Sequence, residues 1–452
     1  MKKYSVFFLA ILFLSCSKDD APVVTGLPSD PAQYGTPFSK VPVVKDAAVY
    51  QVNTRAFSAA GNLAGVTARL DSIKALGVNV VYLMPIYPVG TVNSINSPYC
   101  VKDFQAVATE FGTLDDLRNL VNKAHEKEMA VILDIVPNHT AWDHPWITAH
   151  KSWYQQNAGG NIVSPSGYND VAQLNFNNDT LQQAMIEALR YWIFTANVDG
   201  YRFDFADNVP FAFWKKALAS LNSIPGRKLF NIAEGTRSDH FRAGFELKYG
   251  FGWFANLKDV FGQAKPATSI TGMNTSEYVN SYEGSMVLRY ITNHDVNSSD
   301  GTPQQLFGGN DGALAALIVS AYMKGIPMIY SGEEKALPYQ LKFPFTAEKI
   351  NWTLNPAVTA NYKKILGFRN ASAAIRYGEL FTYSSDDVVA FTRKKDNETV
   401  FVMVNLRNRP VDYTLPASLA SSSWTDGFST ANVTLTTQVN LPAFGYRVLQ
   451  KK

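Results

Sequence analysis

The chain has 452 residues and only two cysteines, Cys16 and Cys100, so a disulfide framework does not hold this fold together. Charge is also sparse. Asp, Glu, Lys and Arg make up 17% of the residues and leave a formal net charge of +3. Without a basic stripe, nucleic acid is excluded as a partner. The apolar run from Val6 to Leu14 is too short to span a bilayer. No short period recurs, which rules out a solenoid. Aromatics are plentiful at 13%, as in a well-packed globular protein. The length allows one large domain plus a small one.

The first residues read as a targeting segment, with Lys2 and Lys3 ahead of the apolar run. Phe13-Leu14-Ser15-Cys16 resembles the lipobox of bacterial lipoproteins, with Phe13 in place of the usual leucine. The resemblance implies a lipidated Cys16 as the first mature residue, leaving Cys100 unpaired. Ser17-Lys18-Asp19-Asp20 resembles the export tag of surface lipoproteins in Bacteroidetes-type bacteria. A signal peptide over 1–15 and a proline-bearing tether over 16–45 are therefore expected, with the protein on the outer-membrane surface.

Strands and helices alternate over the next 300 or so residues. Eight strand-like runs are legible, ending near Val52, Leu83, Ile135, Asp204, Ala233, Tyr249, Ile291 and Tyr330. The run 130–135 is almost wholly apolar, as a parallel strand covered on both faces should be. Thr113 reads as the N-cap of a helix whose Leu117, Leu120, Val121 and Ala124 share one face. Asp204 and Glu234 stand 30 residues apart, one βα unit. The pattern predicts a (β/α)8 barrel over 46–373, interrupted at 141–177 by an insertion rich in Trp, His, Asn and Gly. From 374 to 452 short strands predict a small antiparallel β-domain, with Asp396-Asn397 as a hairpin turn.

The chemistry centres on Gly200-Tyr201-Arg202-Phe203-Asp204. Alternation along a strand puts Arg202 and Asp204 on one side, where the guanidinium would keep the carboxylate ionised. In such a barrel the active site lies at the C-terminal ends of the strands. Asp134, Asn138, His139, Arg202, Asp204, Glu234, Asn293, His294 and Asp295 all fall there. Paired carboxylates suit retaining glycoside hydrolysis, which needs an ionised nucleophile and a carboxylic acid. Asp204 fits the first role. Glu234, with no basic neighbour before Arg237, fits the second if burial raises its pKa.

Four segments then resemble the signature segments of the α-amylase family of glycoside hydrolases (family 13), in the family's order. They are Asp134–His139, Gly200–Asp204, Ile232-Ala233-Glu234 and Ile291–Asp295. The resemblance implies Asp204 as nucleophile, Glu234 as acid/base and Asp295 as transition-state stabiliser. Tyr99, His139, Arg202 and His294 would bind the sugar. It further implies α-glucan cleavage with retention, most readily at α-1,4 bonds, and partners in a glycan-uptake system. The alternatives are an oligosaccharide-specific α-glucosidase or transglycosylase, and a non-catalytic glycan-binding relative. Trp142, Trp146, Trp153 and Tyr154 in the insertion are either sugar platforms or packing. A calcium site using Asn138 is the only cofactor implied. Gln173-Leu174-Asn175 and Asp207-Asn208 depart from the family's usual calcium-region pattern.

Overall fold

The computed structural model describes residues 30–451. The leader and the Cys16 lipidation expectation lie outside the described residues. Eight strands form a closed, fully parallel barrel: β1 Val49–Val52, β2 Val80–Leu83, β3 Ala130–Ile135, β4 Gly200–Phe203, β5 Phe230–Ala233, β6 Leu247–Tyr249, β7 Met286–Arg289 and β8 Ile326–Tyr330. Each pairs with its sequence neighbours, and β8 closes onto β1. This is the predicted (β/α)8 barrel, followed by antiparallel β-sheets.

Local sequence explains the elements. All of β3 is buried, consistent with its apolar run. Thr113 caps helix Leu114–Glu126 in a capping box with Asp116, and Asp115 and Asp116 complement the positive helix end. Helix Gly309–Tyr322 is apolar on nearly every side and buried from Gly312 onward. Gly200 opens β4 at φ +142°, and a Cβ there would lie 2.1 Å from the Phe230 carbonyl oxygen. Only glycine lets β4 start this close to β5.

Two features differ from the sequence reading. After the first strand the sequence predicts one helix from about Val66 to Leu76, but the structure has two, Leu63–Thr67 and Leu70–Lys74, with Arg69 at the break lying 4.1 Å over the Trp352 ring. Residues 331–373, given no element by periodicity, contain helix Pro356–Ala371. Its buried face is Val358, Tyr362, Ile365, Leu366 and Arg369 at helical spacing, and the charged Arg369 and hydroxyl-bearing Tyr362 dilute the apolar stripe.

The insertion is tied to the barrel by an antiparallel ribbon, His139–Ala141 with Val171–Gln173. The ribbon therefore begins at His139, next to the barrel rim. The C-terminal unit has a six-stranded sheet and a two-stranded ribbon, Val411–Thr414 with Gln438–Leu441. Its strand Val388–Lys395 uses strict alternation. Val389 and Phe391 join the main core, while Val388 and Ala390 join a separate cluster with Phe401, Met403 and Trp424. One face thus anchors the unit on the barrel and the other builds its own core. The tight turn at Asp396 has φ +51° and links Lys395 directly to its partner Glu398.

Candidate active site

The register of the barrel sets the site. Asp134 on β3 lies opposite Arg202 on β4, and Arg202 lies opposite Ile232 on β5. The fully buried Arg202 guanidinium then reaches three carboxylates. Its Nη1 donates to Asp134 Oδ1 at 2.7 Å and to Asp204 Oδ1 at 2.8 Å, and its Nη2 donates to Glu234 Oε1. The rings of Tyr82, Tyr99 and Tyr249 surround the same cation within about 6 Å. One positive charge thus serves three acids in a setting nearly closed to water.

This arrangement corrects the electrostatic argument made from sequence neighbours. Burial and the Glu234 carboxylate push the Asp204 carboxyl well above its ordinary range, against the pull of Arg202. Asp134 is pushed up to about 6 by burial, with Arg202 opposing. Glu234 does have a cationic partner, because Arg202 reaches it across the ladder. It also accepts the Phe205 backbone N–H at Oε2, at 2.8 Å. Neighbours along one strand do not reveal donors arriving from adjacent strands. Asp204 and Glu234 thus share one buried cation.

A hydrogen-bonded chain runs outward from Asp134. Tyr82 OH and Tyr99 OH both donate to Asp134 Oδ2, at 2.6 and 3.1 Å. Burial holds the His294 pKa down to about 3, so its ring is neutral at neutral pH. Its Nδ1 accepts from Gln51 Nε2 at 2.8 Å, which places the ring proton on Nε2. That Nε2 lies 2.7 Å from Tyr99 OH and 3.2 Å from Asp295 Oδ1. Tyr99 also stacks on His294 at 5.3 Å. Asp295 itself is exposed at the cleft wall. His139 is buried, with its pKa held down to about 4, and its Nδ1 faces Asn138 Nδ2 at 3.2 Å.

A cleft of about 490 Å³ opens over this network. Tyr99, His139, Asp204, Glu234, His294 and Asp295 all line it, so the sequence candidates converge on one surface, with Arg202 beneath. Sequence reasoning missed Gln51 and Tyr82, although a polar residue inside an otherwise apolar barrel strand was the available signal. It also missed Phe205, Tyr168 and Phe345, which form aromatic walls of the cleft. The Phe205 ring meets Tyr168 edge-on at 5.5 Å. By contrast Trp142, Trp146, Trp153 and Tyr154 do not line the cleft. The Trp153 indole N–H donates to Thr180 and Tyr154 OH bonds Thr140, so these two rings serve packing.

Asn138 does not fit a calcium ion. Its amide oxygen accepts from Gln173 Nε2 at 3.0 Å, so Gln173 presents a donor where the cation needs another oxygen. No group of three His, Cys, Asp or Glu suited to a metal occurs among the described residues. Asp207 is engaged by the backbone N–H groups of Thr236 and Arg237 and by His240 at 2.7 Å.

Comparison with known proteins agrees with this geometry. Residues 39–161 match the family described as alpha amylase, catalytic domain, and residues 380–448 match maltogenic amylase, C-terminal domain. Alpha-amylase 3 of Dictyoglomus thermophilum is 24% identical over 443 residues, covering 81% of this chain and 85% of its own. Alpha-amylase MalA of Haloarcula japonica is 22% identical over 408 residues, and the match takes in 60% of its length. Among solved structures, a noncanonic maltogenic alpha-amylase from Thermotoga neapolitana superposes with a TM-score of 0.82 at 21% identity, covering 90% of this chain and 99% of that one. Fold and relatives make this protein a glycosidase built on a (β/α)8 barrel. In sequence, its residues 39–161 are similar to the α-amylase catalytic domain and its residues 380–448 to the maltogenic-amylase C-terminal domain.

Proposed function

We propose that the protein hydrolyses α-glucosidic bonds of starch-type glucans or maltooligosaccharides, most readily α-1,4, by double displacement with retention. The observation that carries this reading is the pair Asp204 and Glu234, bound to the two amino groups of one buried guanidinium at the floor of an aromatic-walled cleft. Retention needs two carboxyl groups only about 5–5.5 Å apart, one charged and one protonated. A single guanidinium fork holds its acceptors close. Three acids around one cation favour keeping a proton in the cluster.

Asp204 acts as nucleophile and Glu234 as acid/base, an assignment that rests on the family resemblance of their segments. In the free protein Glu234 accepts two N–H bonds, and burial pushes the Asp204 carboxyl up. Double displacement requires Glu234 protonated and Asp204 ionised when sugar is bound. Glu234 then protonates the leaving oxygen as Asp204 attacks the anomeric carbon, and later deprotonates the water that frees the sugar. Asp295, His294, Tyr99 and His139 grip the hydroxyls of the sugar being transferred, with Arg202 holding the carboxylates in place. Purified protein should release reducing ends from soluble starch, maltooligosaccharides, pullulan or isomaltooligosaccharides. No turnover on any of the four contradicts the proposal. The lipobox-like segment supports display on the outer-membrane surface beside glycan-uptake partners. Failure of labelled palmitate to enter at Cys16 in a bacterial host contradicts that placement.

A further inference from the structure

The insertion builds a second recess, about 340 Å³ in volume, that shares no lining residue with the catalytic cleft. Small-molecule sites start near this size, at about 300 Å³. Trp146 and Trp153 of the insertion stand on one side, with Phe104 and Gln105 from the loop after β2 and Glu187 from helix Asp179–Thr195 on the others. Trp146 is only partly buried, and its ring is braced edge-on against Trp153 at 5.0 Å and at a tilt against His144 at 4.5 Å and Phe104 at 5.4 Å. A braced, partly exposed indole in a recess that Gln105 and Glu187 also line is suited to a pyranose. The ring covers the sugar's C–H face while amide and carboxylate meet its hydroxyls.

His144 supplies an independent observation. It forms part of the recess wall and is 4% exposed. Its Nδ1 accepts the Trp146 backbone N–H at 3.1 Å. Burial holds its pKa down to about 4, so the ring is neutral and the proton sits on Nε2. That Nε2–H has no partner in the protein. A buried donor left unmet is unfavourable, and this one is enclosed within the recess wall. Charges around the recess are mixed: Asp103 and Glu187 are acidic, and Lys102 is already tied to Asp143 at 2.9 Å. That balance suits a neutral polyol rather than a phosphate or a cation.

We propose that this recess is a second carbohydrate site, holding glucosyl units of an α-glucan on Trp146 and apart from the catalytic cleft. The choice of an α-glucan rests on the proposed function above. The two sites belong to one segment: His139 lines the cleft and His144 the recess, so their Cα atoms lie at most about 18 Å apart. A glucan held at the recess raises the local concentration of chain at the cleft.

The test is native electrophoresis in gels containing amylopectin, alongside maltotriose hydrolysis. Trp146→Ala should weaken retardation at least fivefold while maltotriose kcat/KM stays within twofold of the parent. Gln105→Ala with Glu187→Ala changes the rim without touching the packed indole and should weaken retardation about threefold. Unchanged retardation in both variants overturns the proposal, as does a loss of maltotriose turnover that parallels the loss of binding. Retardation is read without turnover, so the two proposals fail separately. A parent protein that is retarded through Trp146 but cleaves nothing supports the recess and contradicts the catalytic reading.

Discussion

The Phe205 backbone N–H donates to Glu234 Oε2 at 2.8 Å from a left-handed conformation, φ +52°. A bulky residue seldom adopts that conformation, which costs about 1–3 kcal/mol and persists only where its surroundings impose it. Here the turn sends the ring into the cleft and points the N–H at the carboxylate. One residue therefore positions Glu234, the proposed acid/base, and walls the cleft beside it.

Removing the ring separates these functions. Phe205→Ala keeps the N–H and loses the contact with Tyr168. Steady-state kinetics on a maltooligosaccharide should show kcat/KM reduced about tenfold, equal to about 1.4 kcal/mol, mainly through KM. A loss above a thousandfold would mean that the ring, and not the N–H, governs Glu234.

Arg202 is the cation on which the cluster depends. Arg202→Met leaves Asp134, Asp204 and Glu234 buried without their shared partner. Breaking such a network costs about 3–5 kcal/mol. Chemical denaturation at pH 7 should show a loss of that order, partly recovered at pH 5 as the acids take up protons. Unchanged stability at pH 7 would contradict the buried triad.

Glu333 gives a pH signature away from the cleft. It is buried, accepts from Tyr362 OH and the Tyr330 N–H, and is pushed up to about 8 by burial. The unfolded chain releases this proton near 4.5, so between those values the native state binds more protons. Its contribution is favourable below about 4.5 and is lost as pH rises toward 8. Glu333→Gln removes this slope, and melting curves from pH 5 to 8 should be flatter than those of the parent. Parallel pH profiles would refute the buried, protonated Glu333.

Because Gln173 occupies the Asn138 amide oxygen, chelation should have no effect. Melting temperature and activity are expected to be the same with and without EDTA. A fall of several degrees that added calcium reverses would place a cation site elsewhere.

The barrel was legible because parallel strands buried on both faces must be written in apolar residues, as in Ala130–Ile135. The positions of Asp204 and Glu234 followed, since each comes directly after a strand. What sequence missed arises between strands. Arg202 serves acids on β3 and β5 as well as its own, so the charge balance reversed for Asp204. The cleft aromatics Phe205 and Tyr168 were hidden for a related reason: a loop ring points by its backbone conformation, which carries no period. Trp146 and Trp153 stood out by type alone, and only packing showed that they face a different recess.

The most direct test of the account is the anomer formed first. Proton NMR during rapid hydrolysis of an α-linked maltooligosaccharide should show the α-anomer of the new reducing end before mutarotation. Asp204→Asn and Glu234→Gln should each reduce that signal at least a thousandfold without unfolding. A nascent β-anomer, or a fully active Asp204→Asn, would contradict double displacement on the Asp204–Glu234 pair.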